Sequence, residues 1–161
     1  MDFEQFFDEH YGATVRALAL TIGDRDRAED RVQDAFAKAY RRWGRVSVMD
    51  RPAAWIYVVA LNAERKEWAR DQRRSLRASR RLNSSADSSP DVATSTTDAL
   101  DVRSALRALT DRQRTAVVLR YLADLTIVDI ARVMGCAEGT VKATLHQSLA
   151  KLRVELTEEQ V

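Results

Sequence analysis

Residues 62–73 gather Asn62, Arg65, Lys66, Trp68, Arg70 and Arg73, an amide and an indole among four cations. This set suits unpaired nucleic acid: rings stack on base faces for roughly 1–3 kcal/mol each, cations neutralise phosphates, and an amide can donate to and accept from a base edge. The wider span 36–68 holds six of the eleven aromatic residues, Phe36, Tyr40, Trp43, Trp55, Tyr57 and Trp68. The same rings can equally be the core of a small helical domain, with the arginines as its solvated face. Asn62 can likewise be an ordinary polar contact on a helix.

A second set lies in residues 125–153, LTIVDIARVMGCAEGTVKATLHQSLAKLR. Ile127, Ile130, Ala131 and Met134 recur at the three- and four-residue spacing of a buried helical stripe, and Gly135 follows where the chain must reverse. Val141, Leu145, Leu149 and Leu152 form another inward stripe, leaving Thr140, Lys142, Ala143, Thr144, His146 and Gln147 to face a groove. Small Ala131, Gly135 and Val141 fall where two crossed helices need close approach, a reversal and a core plug, so the pair reads as a helix-turn-helix. An ordinary helical hairpin would share the apolar stripes but has no need of that arrangement.

Catalytic chemistry finds little support. The two histidines, His10 and His146, lie in different halves of the chain, and neither stands in a metal-ligand or triad spacing with Cys136. There is no glycine-rich phosphate loop and no His-Glu-x-x-His. The expectation is no enzyme, no metal and no cofactor. A single cysteine rules out an intramolecular disulfide and fits a reducing cytoplasm. The opening MDFEQFFDEHYG lacks the basic start and apolar run of a signal peptide, and no stretch is apolar enough to span a bilayer, so the expected location is cytoplasmic.

The elements that must hold these residues are helical. Only five Gly and two Pro interrupt 161 residues, and apolar positions follow helical rather than alternating spacing, so the fold class is all-α. Phe3, Phe6, Phe7, Tyr11, Val15, Leu18 and Ile22 share one face of a first helix ending at Gly23. Residues 24–43 form a second, acidic at its start and basic at its end, as the helix dipole favours. Its inward set is Ala28, Val32, Ala35, Phe36, Ala39, Tyr40 and Trp43. Residues 44–51 read as a loop, and Pro52 opens a third long helix reaching about Arg74. Residues 82–97, LNSSADSSPDVATSTT, are rich in Ser, Thr, Asp and Ala and read as a flexible linker. Beyond it come a helix over 98–109, a second capped by Thr110 with Gln113, and the helix pair. The domains are therefore 1–76, a three-helix core, and 98–157, a helix-turn-helix domain, joined by a linker over 77–97. Charge divides unevenly: residues 1–34 carry 4 basic and 9 acidic side chains, whereas 51–81 carry 9 and 3. An acidic start and a basic middle suggest two different partner surfaces.

Three segments in order, DRAEDRVQDAFAKAYRRW (26–43), PAAWIYVVALNAERKEW (52–68) and LTDRQRTAVVLRYLADLTIVDIARVMGCAEGTVKATLHQSLAKLR (109–153), resemble the extracytoplasmic-function (ECF) sigma factors of bacterial RNA polymerase. The resemblance covers nearly the whole chain outside the linker. It implies two helical domains, regions two and four of the sigma-70 family, that bind core polymerase and direct promoter recognition, strand opening and initiation. By it, Asp30, Gln33, Asp34, Phe36 and Tyr40 belong to the helix that meets the clamp of the largest polymerase subunit. Asn62, Arg65 and Lys66 fall where the family opens the duplex and holds a flipped base of the minus-ten element, with Trp68, Arg70 and Arg73 extending that surface. Thr140, Lys142, Ala143 and His146 would meet the minus-thirty-five element. An anti-sigma factor wrapping between the domains is the implied inhibitor. Family members often carry several arginines on the recognition helix, whereas this one has Lys142, His146, Lys151 and Arg153, which implies a weaker phosphate grip. The alternative reading is a stand-alone helix-turn-helix regulator that binds duplex DNA through its C-terminal domain.

Overall fold

The computed structural model describes residues 1–79 and 97–158 and, within them, eight helices without a strand. The expected linker lies largely outside the described residues. Its start does not: the helix beginning at Pro52 runs on through residue 77 to Ser79. Residues 75–78 contain no glycine or proline to stop it.

Three long helices build the first unit: α1 (Phe3–Ile22), α2 (Arg25–Arg41) and α4 (Pro52–Ser79), with a one-turn α3 (Trp43–Val46) between the last two. The loop expected over 44–51 thus begins with a helical turn that buries Val46. Local chemistry sets the ends. Asp2 and Asp24 accept backbone N–H groups of Gln5 and Arg27 at the starts of α1 and α2. Gly23 closes α1 at φ 77°, a conformation that costs a residue with a Cβ about 1–2 kcal/mol.

Each of these long helices packs on the other two. Phe6, Val15, Leu18, Val32, Phe36, Ile56, Tyr57 and Leu61 fill the space between them, each worth roughly 1.5–3 kcal/mol against exposure. Tyr57 is buried with its hydroxyl 2.6 Å from Thr21 Oγ1, and burial raises its pKa far above the ordinary tyrosine range.

The second unit is α5 (Thr97–Arg107), α6 (Asp111–Tyr121), α7 (Ile127–Met134) and α8 (Glu138–Glu158). Leu106, Leu109, Val118, Leu119, Leu125, Ile130, Val141 and Leu145 make its core. A full capping box at Thr110 and Gln113 starts α6. Arg114 then donates to the carbonyls of Leu106 and Leu109, closing the end of α5. Among the described residues no helix is long and apolar enough to cross a membrane.

Candidate nucleic-acid interface

The basic surface is carried by α4, whose first half is held in the core through Ala54, Ile56, Tyr57, Ala60 and Leu61. At roughly 100° per residue, Asn62, Lys66 and Arg73 lie within about 40° of one line, with Arg65 and Arg70 on either side. All five are exposed. Upstream on the same face stand Trp55 and Val59. With Lys38, Arg41 and Arg42 from the end of α2 they enclose an open cleft of about 400 Å³. The cleft thus sets a half-buried indole beside three cations, the combination of stacking face and positive charge that suits single-stranded nucleic acid.

Trp68 does not belong to this row. It lies about 120° from Asn62, in the helical phase of the inward Leu61 and Glu64, yet is 59% exposed. The aromatic partner of the cations is Trp55.

On the inner side of α4 stands Glu64, a 7% exposed carboxylate that the apolar pattern alone does not single out. Its Oε1 lies 2.6 Å from Arg27 Nη2, and its Oε2 lies 3.4 Å from Arg31 Nε. Both arginines project from α2. The available signal was positional: Glu64 follows Tyr57 and Leu61 at helical spacing, and Arg27 and Arg31 are four residues apart.

On α2, Asp30, Gln33, Asp34 and Tyr40 share an outward arc and are exposed, Tyr40 by 67%. Tyr40 therefore leaves the inward set expected of it. Phe36 goes the other way: it is 2% exposed, its ring 5.1 Å from Phe7 and 5.9 Å from Phe6. It cannot touch a partner without unpacking the core, and the contact set on α2 is corrected accordingly.

In the second unit Thr126 caps α7, and Gly135 ends it at φ 62°, where its N–H and that of Cys136 return to carbonyls of the last turn. Ile130 and Val141 are fully buried where α7 and α8 cross. This arrangement leaves Thr140, Lys142, Ala143 and His146 exposed on the first turns of α8. Ala143 sits near the middle of that arc, with Lys142 and His146 on one flank and Thr140 on the other. Ser148, absent from the inward stripe read from sequence, is completely buried and satisfied by the Thr144 carbonyl at 2.6 Å.

The two units touch. α1 packs against α6. Arg65 Nη1 donates to the Val133 carbonyl at 3.3 Å, and Arg51 Nη1 lies 3.6 Å from Asp124 Oδ2. His10, half-buried, stands in this seam with its ring 4.5 Å from Phe6. Among the described residues no group of three or more His, Cys, Asp or Glu side chains could hold a metal.

These two units coincide with two family models. Residues 7–74 match sigma-70 region 2, and residues 99–152 match sigma-70, region 4. The ECF RNA polymerase sigma factor SigL of Mycobacterium tuberculosis is 34% identical over 160 residues, covering 94% of this chain and 87% of that one. The RNA polymerase sigma-E factor of Streptomyces coelicolor is 30% identical over 156 residues, covering 97% and 86%. A co-crystal structure of the sigma factor RpoE with the anti-sigma factor NepR from Bartonella quintana matches with a TM-score of 0.71 and 25% identity, covering 97% of each chain.

The chain belongs to the ECF sigma factors of the sigma-70 family. It acts as a specificity subunit that brings core RNA polymerase to promoter DNA and starts transcription. The reading as a stand-alone regulator is not favoured, since the relatives align over both units and are polymerase sigma factors.

Proposed function

We propose a division of labour between three surfaces. The exposed acidic arc of α2, Asp30, Gln33, Asp34 and Tyr40, meets the clamp of the largest polymerase subunit. The α4 row, Asn62, Arg65, Lys66, Arg70 and Arg73, receives the opened minus-ten strand. The arc of α8, Thr140, Lys142, Ala143 and His146, reads the minus-thirty-five element. In domain terms these belong to residues 1–76 and 98–157, joined over 77–97. The protein does no bond chemistry of its own, works in the cytoplasm, and is held silent by an anti-sigma factor. The likeness to a sigma factor solved with NepR supports that last element.

One observation carries the reading of α4: an exposed amide and four cations on one helix face, continuing into the Trp55 cleft. Strand opening needs a site for an unstacked base as well as phosphate neutralisation, and this surface offers both. Substituting Asp34→Arg tests the α2 assignment, because Asp34 is exposed and its one ion pair is a loose 3.7 Å contact with Arg31. The variant should fold normally and fail to co-elute with core polymerase. Run-off transcription should fall with it. Undiminished co-elution would place the polymerase contact elsewhere.

A further inference from the structure

Resting on the assignment of α8 to the minus-thirty-five element made above, we infer that its base readers are Gln147 and Ala143, the Gln147 amide taking an adenine and the Ala143 methyl a neighbouring thymine. Gln147 lies outside the set proposed for that surface, and the base preference is new to it.

Burial fixes which way α8 faces. Val141, Leu145 and Ser148 are buried, all within about 40° of one inward line at roughly 100° per residue. The opposite, outward line passes about 10° from Ala143, with Gln147 and His146 roughly 50° to either side. All three are exposed. The exposed cations stand farther round, at roughly 70–90° from the line: Lys142 and Arg153 at one edge, Lys151 at the other.

That arrangement reverses the one on α4, where Lys66 and Arg73 share the line of Asn62. A helix lying in the major groove has phosphates along both edges and base pairs beneath its centre, so edge cations position it and the uncharged centre reads sequence. The hydroxyl protons of Thr144 and Ser148 are already spent on the Thr140 and Thr144 carbonyls, at 2.7 and 2.6 Å. The Gln147 amide has no hydrogen-bond partner among the described residues.

An amide carries one acceptor and one donor side by side, which matches the N6 amino group and N7 of adenine. Guanine offers two acceptors, N7 and O6, and would set O6 against the amide carbonyl; reading it calls for the paired donors of an arginine or a lysine, and α8 keeps its cations at the edges. A histidine ring presents one nitrogen at a time, so His146 adds a contact without the two-point match that selects a base. The Ala143 methyl has no polar choice to make and gains only from the thymine methyl. Ala143 and Gln147 are about 6 Å apart along the helix axis, so the two A·T pairs lie within roughly two base-pair steps of each other.

The test uses holoenzyme formed from core polymerase and the full chain, presented with promoter DNA randomised over the upstream element. Enriched templates should carry two A·T pairs at that spacing. Binding to the enriched DNA is then measured with single atoms or groups removed: 7-deazaadenine lacks N7, and deoxyuridine lacks the thymine methyl. At one adenine the first change should weaken wild-type binding about fivefold or more, and Gln147→Ala should not respond to it. At one thymine the second should cost about three- to fourfold, the worth of one buried methyl group, and Ala143→Gly should be indifferent. Each variant is scored by its ratio of modified to unmodified DNA, so a general loss of stability cancels. Gln147→Arg should exchange the enriched adenine for guanine. Wild-type binding that ignores both modified bases leaves any A·T preference to DNA shape and overturns the inference, as does undiminished sensitivity in both variants or an enriched G·C pair at either position; in these cases α8 keeps its promoter element. No enriched upstream element at all overturns the assignment of α8 as well.

Discussion

Replacing Glu64 by Gln removes one charge at nearly constant volume and tests whether the Arg27–Glu64–Arg31 cluster sets the roll of α4. Breaking a buried ion pair from one side costs about 3–5 kcal/mol when the orphaned charge stays buried. Here the side chains of Arg27 and Arg31 keep 39% and 23% exposure, so the charges remain partly hydrated, while Arg31 Nε stays buried; the cost falls to about 1–3 kcal/mol, that of leaving a buried polar group unsatisfied. In a domain of this size each kcal/mol moves the midpoint by roughly 4–8 °C, so the domain carrying α4 should melt roughly 4–24 °C lower. Calorimetry of the full chain reads this directly. Glu64 stands between Asn62 and Arg65, so oligonucleotide affinity should fall too, although Glu64 faces away from the strand. A midpoint within about 1 °C of the parent would refute the reasoning and leave the roll of α4 to apolar packing alone.

Tyr57→Phe separates burial from titration. The folded protein holds the Tyr57 phenol protonated beyond the usual tyrosine range, because the side chain is buried, whereas the unfolded chain ionises near the ordinary tyrosine value of about 10. The stability linked to the raised pKa is fully present below about pH 10 and lost above it, so the wild type should weaken steeply in urea titrations there, and the Phe variant less so. At neutral pH the variant should lose about 1 kcal/mol, since Thr21 Oγ1 keeps its bond to the Ala17 carbonyl. Gly135→Ala should cost about 1–2 kcal/mol, because the turn holds φ at 62° while a Cβ there would meet nothing within 4 Å. Thermal melts of Gly135→Asn should show a smaller loss, since Asn tolerates the left-handed region.

Periodicity made the helices legible, and at caps the agreement is close: Gly23, Pro52, Thr110 and Gly135 each stand where their backbone chemistry requires. What periodicity could not give was the direction of single rings. Phe36 and Tyr40 are four residues apart, yet one is buried among Phe3, Phe6, Phe7 and Tyr11 while the other lies at the edge. Trp68 misleads for a related reason. It keeps the helical phase of Leu61 and Glu64 while standing 59% exposed, so composition groups it with the cations and its angular position does not. Glu64 and Ser148 were hidden because a polar type breaks an apolar pattern, and only the partners across the packing explain them. The seam was beyond reach altogether: its acceptor at Val133 is a backbone carbonyl, which side-chain identity does not encode.

The sparse charge of α8 makes the join between domains matter more than either surface. Lys142, Lys151 and Arg153 are its exposed Lys and Arg side chains among the described residues. If each neutralised one phosphate, the logarithmic salt slope would be about −2.7, the signature of weak duplex binding. On the proposed assignment a second contact on the same chain changes that arithmetic, because binding at α4 would present α8 to its own element at an effective concentration that reaches about the millimolar range for a short flexible connection. Weak contacts become sufficient in pairs.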